Sequence, residues 1–142
     1  MNLAMLLRAA GASLVVLSLV HAAFWRMLAW GQESERLSPL NARVFAVHTF
    51  FIAFVLGALG LLSLFAPELL LAPSDLARLL LAGIVAFWIA RLAIQPLVFD
   101  RVMQAGWMRS PLVHVGASIV WAAYVAVYGA ALIRQFGAMG ER

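Results

Sequence analysis

Four apolar stretches, each about as long as a membrane is thick, dominate this sequence of 142 residues. A helix rises 1.5 Å per residue, so about 20 consecutive apolar residues cross the hydrocarbon core of a bilayer. The composition agrees, because 65% of the residues are hydrophobic and only 11% are charged, against roughly 45–50% and about 25% in soluble domains. We therefore predict an all-α, polytopic membrane protein that forms one transmembrane domain over residues 1–142, a four-helix antiparallel transmembrane bundle. Its helices are predicted at about 9–30, 44–65, 76–99 and 111–133.

Prolines and small polar residues mark the breaks between these stretches. Ser38 and Pro39 have the residue types that are favoured at a helix N-cap and at the first helical position. Pro67 and Pro73 interrupt the chain after the second stretch, and Pro111 begins the fourth. Short connections of this kind make consecutive helices antiparallel neighbours.

Charge and cysteine content narrow the function further. The sequence has no cysteine, which excludes disulfides, thiolate metal sites and iron–sulfur clusters. Its ten basic residues are arginines scattered along the chain, and the net charge is only +4. No patch for nucleic acid is visible. The expected partners are the lipid bilayer and other membrane subunits.

The stretch FWIARLAIQPLVFD, residues 87–100, carries polar residues inside an apolar run. An arginine at the centre of a membrane helix costs about 2.5–3.5 kcal/mol on insertion scales, so Arg91 should face a partner, water or a bound group. Gln95 follows one helical turn later on the same face. Pro96 has no N–H to donate to the carbonyl of Leu92, which predicts a distorted helix at this point.

The antiparallel topology predicts that all three histidines lie in the same leaflet as Arg91 and Gln95. His21 is near the end of the first helix, and His48 and His114 are near the starts of the second and fourth. These five residues are the candidate ligand-binding site.

Three interpretations of this set stay open. The polar side chains can join helices without any further function, with Arg91 turned toward the loop. Alternatively His21, His48 and His114 bind a transition metal or a haem iron, the cofactor being haem or a metal. Or the set binds an acceptor such as a quinone carbonyl, a lipid headgroup or a carboxylate. We predict no catalytic residue, and the sequence does not decide whether the chain is an enzyme.

The last apolar stretch contains small residues spaced four apart, at Ser118, Ala122, Ala126 and Ala130. This ladder predicts a face that packs against another helix, and it places His114 on the same ridge. The terminal QFGAMGER, residues 135–142, is expected to be a frayed tail.

Three segments, LSPLNARVFAVHTFFIAFVLGALGLLSLF, FWIARLAIQPLVFD and VYGAAL, together resemble a family of small bacterial four-helix integral membrane proteins. The resemblance implies a bacterial inner-membrane location and a recurring pair of Arg and Gln, here Arg91 and Gln95. It implies no activity. Pro96 departs from the family pattern, in which an aromatic residue is expected. The predicted function is that of a non-catalytic accessory or ligand-binding membrane protein, and the alternative is a haem- or metal-binding redox protein.

Overall fold

Helices are the only regular secondary structure in the residues described by the computed structural model, which are 2–27, 30–99 and 110–137. In these ranges four helices are long and apolar enough to cross a membrane. The all-α class and the multi-pass membrane character predicted from the sequence are thus confirmed. The helices are α1 (Leu3–Met27), α2 (Trp30–Ser34), α3 (Pro39–Phe65), α4 (Pro67–Leu71), α5 (Asp75–Ile94) and α6 (Pro111–Gly137), and a π-helical segment, Gln95–Phe99, continues α5.

Capping side chains explain where the long helices begin. Ser38, which directly precedes Pro39, is the N-cap of α3, and its hydroxyl accepts a hydrogen bond from the backbone N–H of Asn41 at 3.4 Å. Ser74 caps α5 in the same way, and both caps agree with the prediction. Helix α1 starts at Leu3, about six residues before the predicted limit, because the Asn2 side chain caps it. Residues 28 and 29, at the predicted end of the first helix, lie outside the described ranges.

The chain divides into two compact units, Leu7–Pro67 and the remainder. In the Leu7–Pro67 unit, α1 and α3 lie antiparallel. Gly11 is opposite Gly60, whereas Ser18, further along α1, donates a hydrogen bond to the carbonyl of Ala53, earlier in α3, at 2.7 Å. The prediction of one domain over residues 1–142 stays a prediction.

Glycine allows the backbones of α1 and α3 to touch. A Cβ atom on Gly11 would lie 2.5 Å from the backbone nitrogen of Leu64 and 2.7 Å from the carbonyl oxygen of Gly60. A Cβ on Gly60 would lie 2.9 Å from the nitrogen of Val15. No side chain fits at these distances, so the two helices pack through small residues, as membrane helices commonly do.

The second unit is organised by α5 and α6, which pack along an apolar seam. Both rows of buried residues advance in steps of three and four, the spacing of a left-handed antiparallel helix pair. The buried residues are Ala77, Leu81, Ile84 and Trp88 on α5, and Trp121, Tyr124, Tyr128, Ala131 and Gln135 on α6.

The seam corrects the predicted packing face of the last helix. The ladder was predicted to pack against another helix, but Ala122, Ala126 and Ala130 are exposed, so no described helix covers these three positions and that prediction was wrong. The aromatic residues of α6 take the contact instead, and Trp121 and Tyr124 pack their rings against Trp88. In lipid such close packing, rather than removal of surface from water, stabilises a helix pair.

Candidate ligand-binding cluster

The polar residues of α5 and its π-helical segment continue the buried seam. Trp88, Arg91 and Gln95 follow one another at spacings of three and four residues, so they lie on the face that meets α6. On α6, His114 and Trp121 are two turns apart on the facing side. The helices are antiparallel, which brings the end of α5 beside the beginning of α6.

Gln95 is the centre of a hydrogen-bond network at this end of the seam. Its Oε1 accepts from Nη1 of Arg91 at 3.0 Å and from Nε1 of Trp121 at 3.4 Å. Its Nε2 lies 3.2 Å from Nδ1 of His114. The side chain is only 3% exposed. One amide therefore joins three functional groups, two of them on the opposite helix. We call Arg91, Gln95, His114 and Trp121 the Gln95 cluster.

The donors around Gln95 determine the protonation pattern of His114. Arg91 and Trp121 can only donate, so the atom of Gln95 that faces them must be the carbonyl oxygen. The amide nitrogen then faces His114 and donates to its Nδ1. A neutral imidazole whose Nδ1 accepts carries its proton on Nε2. The ring of His114 consequently presents an N–H donor on its other side.

Arg91 is half-buried, and its guanidinium group contacts both Gln95 and Trp121. Besides the bond to Gln95, its Cζ atom lies 4.9 Å from the centre of the Trp121 ring, within cation–π range. Trp121 stacks on Trp88 with a centroid distance of 5.2 Å and an interplanar angle of 14°, and Tyr124 lies 4.4 Å from Trp88. Trp88, Trp121 and Tyr124 thus form one aromatic wall next to the guanidinium group of Arg91.

The helix changes geometry at the position where Pro96 predicts a distortion. Gln95 still donates its backbone N–H to the carbonyl of Arg91, but the following turn, Gln95–Phe99, is π-helical. Pro96 has no N–H with which to continue the α-helical pattern, so the ladder of hydrogen bonds shifts register here. Such π-turns occur frequently at functional sites.

The structure brings together three of the five predicted site residues, Arg91, Gln95 and His114. His21 and His48 belong to the Leu7–Pro67 unit. The His21 ring lies 5.0 Å from the ring of Phe24, which in turn contacts the ring of Trp30 at 5.8 Å. His48 is exposed. Their participation in one site with Arg91 stays a prediction.

The described ranges contain no group of three or more His, Cys, Asp or Glu side chains that could hold a metal ion. Nδ1 of His114 already accepts from Gln95, and in that tautomer Nε2 carries a proton, so neither nitrogen offers a lone pair. A metal on His114 would therefore require a different arrangement of Gln95. Metal or haem ligation by His21, His48 and His114 stays a prediction without support from this geometry.

Sequence reasoning missed the roles of Trp88 and Gln135. Trp88 is part of the aromatic wall. It lies seven residues before Gln95, which is two helical turns, so the spacing places both residues on the same face of the helix. Gln135 is 1% exposed and donates from Nε2 to the carbonyls of Leu70 at 2.8 Å and Ala72 at 3.0 Å. The expected frayed tail is therefore wrong for residues 135–137, which complete α6.

The four apolar helices define the class of protein, which is an all-α, multi-pass membrane protein. No protein-family model matches the chain, and neither a curated protein nor a solved structure matches it.

Proposed function

We propose that this protein is a non-catalytic membrane protein that binds a ligand within one leaflet through Arg91, Gln95 and His114. The observation that carries the proposal is the position of Arg91. A cationic side chain is held half-buried over an aromatic ring, inside a span of mean hydropathy 1.9, by a glutamine that is itself bonded to the neighbouring helix. An arginine in such surroundings is a functional-site hypothesis by default, because its insertion is costly.

The hydrogen bonds of His114 favour binding over catalysis. A histidine that acts as a general base is normally oriented by an acceptor at Nδ1–H, which leaves Nε2 free to take a proton. Here the partner at Nδ1 is the amide nitrogen of Gln95, so Nε2 carries a hydrogen and can only donate. This supports a role for His114 in holding an acceptor group.

The experiment is native mass spectrometry of the full chain, purified in a mild detergent from its native membrane. We expect a co-purified molecule that is retained by the wild-type protein and lost from Arg91→Met. Arg78→Met is the matched control, because Arg78 is also on α5 and its Cζ lies 5.6 Å from the ring of Phe136 on α6. Equal retention by both variants, or no bound molecule in the wild-type protein, contradicts the proposal.

The location and the partners form a second part of the proposal. The resemblance of the sequence to small bacterial membrane proteins supports an address in the bacterial inner membrane. An accessory role supposes another membrane subunit. Membrane fractionation tests the first point, and a subunit that co-purifies in fixed stoichiometry through mild detergent tests the second.

A further inference from the structure

We infer that α3 carries a surface for a second copy of this chain, and that two copies pair through His48. The inference goes beyond the proposed function and does not depend on it. It is carried by the exposure of His48 inside the membrane, by the row of exposed residues around it and by the chemistry of the imidazole group.

His48 is an exposed polar residue on a helix that crosses the membrane. Its span, Pro39–Phe65, has a mean hydropathy of 2.2. No described residue forms a hydrogen bond, an ion pair or a ring contact with His48. The hydrogen-bonding groups of its imidazole ring are therefore available to a partner outside the described part of the chain.

The position of His48 along α3 places the imidazole group below the membrane surface. The 27 residues of α3 are about 40 Å long and the hydrocarbon core is about 30 Å thick, so a centred helix projects by about 5 Å at each end. Arg43, four residues after Pro39, is then at the edge of the core. His48 lies about 8 Å inside the core. Ionisable residues at such a depth are rare on a face exposed to lipid, because they normally meet a polar partner.

His48 belongs to a row of exposed residues that runs along α3. We call this row the His48 face, and its residues, spaced alternately three and four apart, are Asn41, Val44, His48, Phe51, Val55 and Ala58. A repeat of seven residues is the spacing of helices that pair with a left-handed crossing, which is the common arrangement in membranes. The buried residues of α3, such as Leu56 and Gly60, lie roughly a third of a turn away. Helix α3 therefore has a second face with the spacing of a helix pair, and no described helix covers it.

The chemistry of the imidazole group favours a second copy as the partner. A neutral imidazole carries one N–H donor and one acceptor nitrogen, so two identical histidines can hydrogen-bond to each other. Two copies that cross the membrane in the same direction, related by a twofold axis, place their His48 residues at the same depth. Any other protein would need a polar group at that depth. Acyl chains offer neither a donor nor an acceptor.

The rest of the His48 face suits two parallel helices. In a parallel pair, each residue of the row meets its own counterpart. Val44, Phe51 and Val55 are 58%, 56% and 50% exposed, so apolar side chains on both sides of His48 are available for packing. With a neutral imidazole the six residues of the face carry no charge, so two identical faces do not repel each other.

The first measurement is the association of full-length chains in phosphatidylcholine vesicles. Energy transfer between copies labelled at the amino terminus is followed while the protein is diluted with lipid. We expect wild-type protein to form dimers. His48→Phe should raise the dissociation constant about three- to fifteenfold, the effect of one interhelical hydrogen bond in a membrane. His48→Asn keeps a donor and an acceptor, so it should stay closer to the wild type.

The second measurement identifies the face that makes the contact. The chain has no cysteine, so a disulfide between single-cysteine copies reports a contact between two chains whose Cα atoms approach within about 7 Å. Phe51→Cys should form this disulfide on oxidation in the vesicles. Phe50→Cys is the matched control, because Phe50 is also an exposed phenylalanine, at 63%, and points about 100° away from Phe51.

The wild-type measurement does not depend on the folding of any variant. Chains that stay monomeric at every ratio of protein to lipid overturn the inference. If helices of the same chain or a different subunit cover the His48 face, Phe51→Cys forms no disulfide between copies, which also overturns it. A disulfide that forms equally well with Phe50→Cys overturns the assignment to this face. Association that is unchanged by His48→Phe overturns the pairing of the histidines.

Discussion

Replacing Gln95 by leucine tests whether the Gln95 cluster stabilises the helix pair. Leucine is close to glutamine in volume, so the change removes hydrogen bonds without opening a large cavity. The bonds to His114 and Trp121 join two helices, and such contacts in membranes contribute about 0.6 kcal/mol each on average. The bond from Arg91 is charge-assisted, a class worth about 1.5–3 kcal/mol, and its half-exposed donor places it at the low end. We expect a total loss of about 2–3 kcal/mol.

The assay is reversible unfolding of the full chain in mixed detergent micelles, followed by far-ultraviolet circular dichroism as the fraction of sodium dodecyl sulfate rises. Ile94→Val is the matched control, because this neighbouring apolar residue is 41% exposed and should change the free energy of unfolding by less than about 0.5 kcal/mol. A double-mutant cycle of Gln95→Leu with Arg91→Met should show coupling of about 1 kcal/mol. Gln95→Leu protein as stable as the wild type, with additive double-mutant energies, would refute the network.

Three further predictions use the same preparation. Gly11→Ala should lower the free energy of unfolding by about 1–3 kcal/mol, because its Cβ would lie 2.5 Å from a backbone nitrogen. In the control Gly83→Ala the added Cβ meets nothing within 4 Å, so this variant should not be destabilised, and equal losses in the two variants would contradict the described packing. Gln135→Leu should cost about 1–3 kcal/mol, since two backbone carbonyls lose their donor, and an unchanged unfolding midpoint would argue against these bonds. An absorption spectrum with metal analysis should show neither a Soret band nor stoichiometric metal, and either signal would favour the haem- or metal-binding redox alternative over the proposed function.

Local chemistry accounts for the features that the sequence predicts well. The caps at Ser38 and Ser74 depend on residues three positions apart in the chain. The contact of Arg91 with Gln95 follows from a spacing of four on one helix, and the change of helix geometry at Pro96 follows from a missing N–H. None of these features requires knowledge of a second helix.

The features that the sequence did not predict depend on which faces of two helices meet. Small residues at a spacing of four on α6 suggested a packing face, but the aromatic row beginning at Trp121 packs on α5 instead. Both rows have helical periodicity, so spacing alone cannot choose between them; the choice depends on the complementary shape of Trp88 on the opposite helix. The role of Gln135 was hidden for the same reason, since its acceptors at Leu70 and Ala72 are far away in the sequence.

Glutamines at the two ends of the α5–α6 seam give the helix pair a defined register. An apolar seam with a seven-residue repeat allows one helix to slide by about 10 Å and still bury apolar side chains. The bonds of Gln95 to His114 and of Gln135 to backbone carbonyls are lost on such a shift. Neutral amide and imidazole groups are sufficient to fix the register of the two helices. Arg91 adds a charge that register does not require, and inserting an arginine into a membrane helix costs up to about 2.5–3.5 kcal/mol, the value at the helix centre. The cost of this charge is what supports the proposal that Arg91 binds a ligand, whereas the glutamines are sufficient to fix the register.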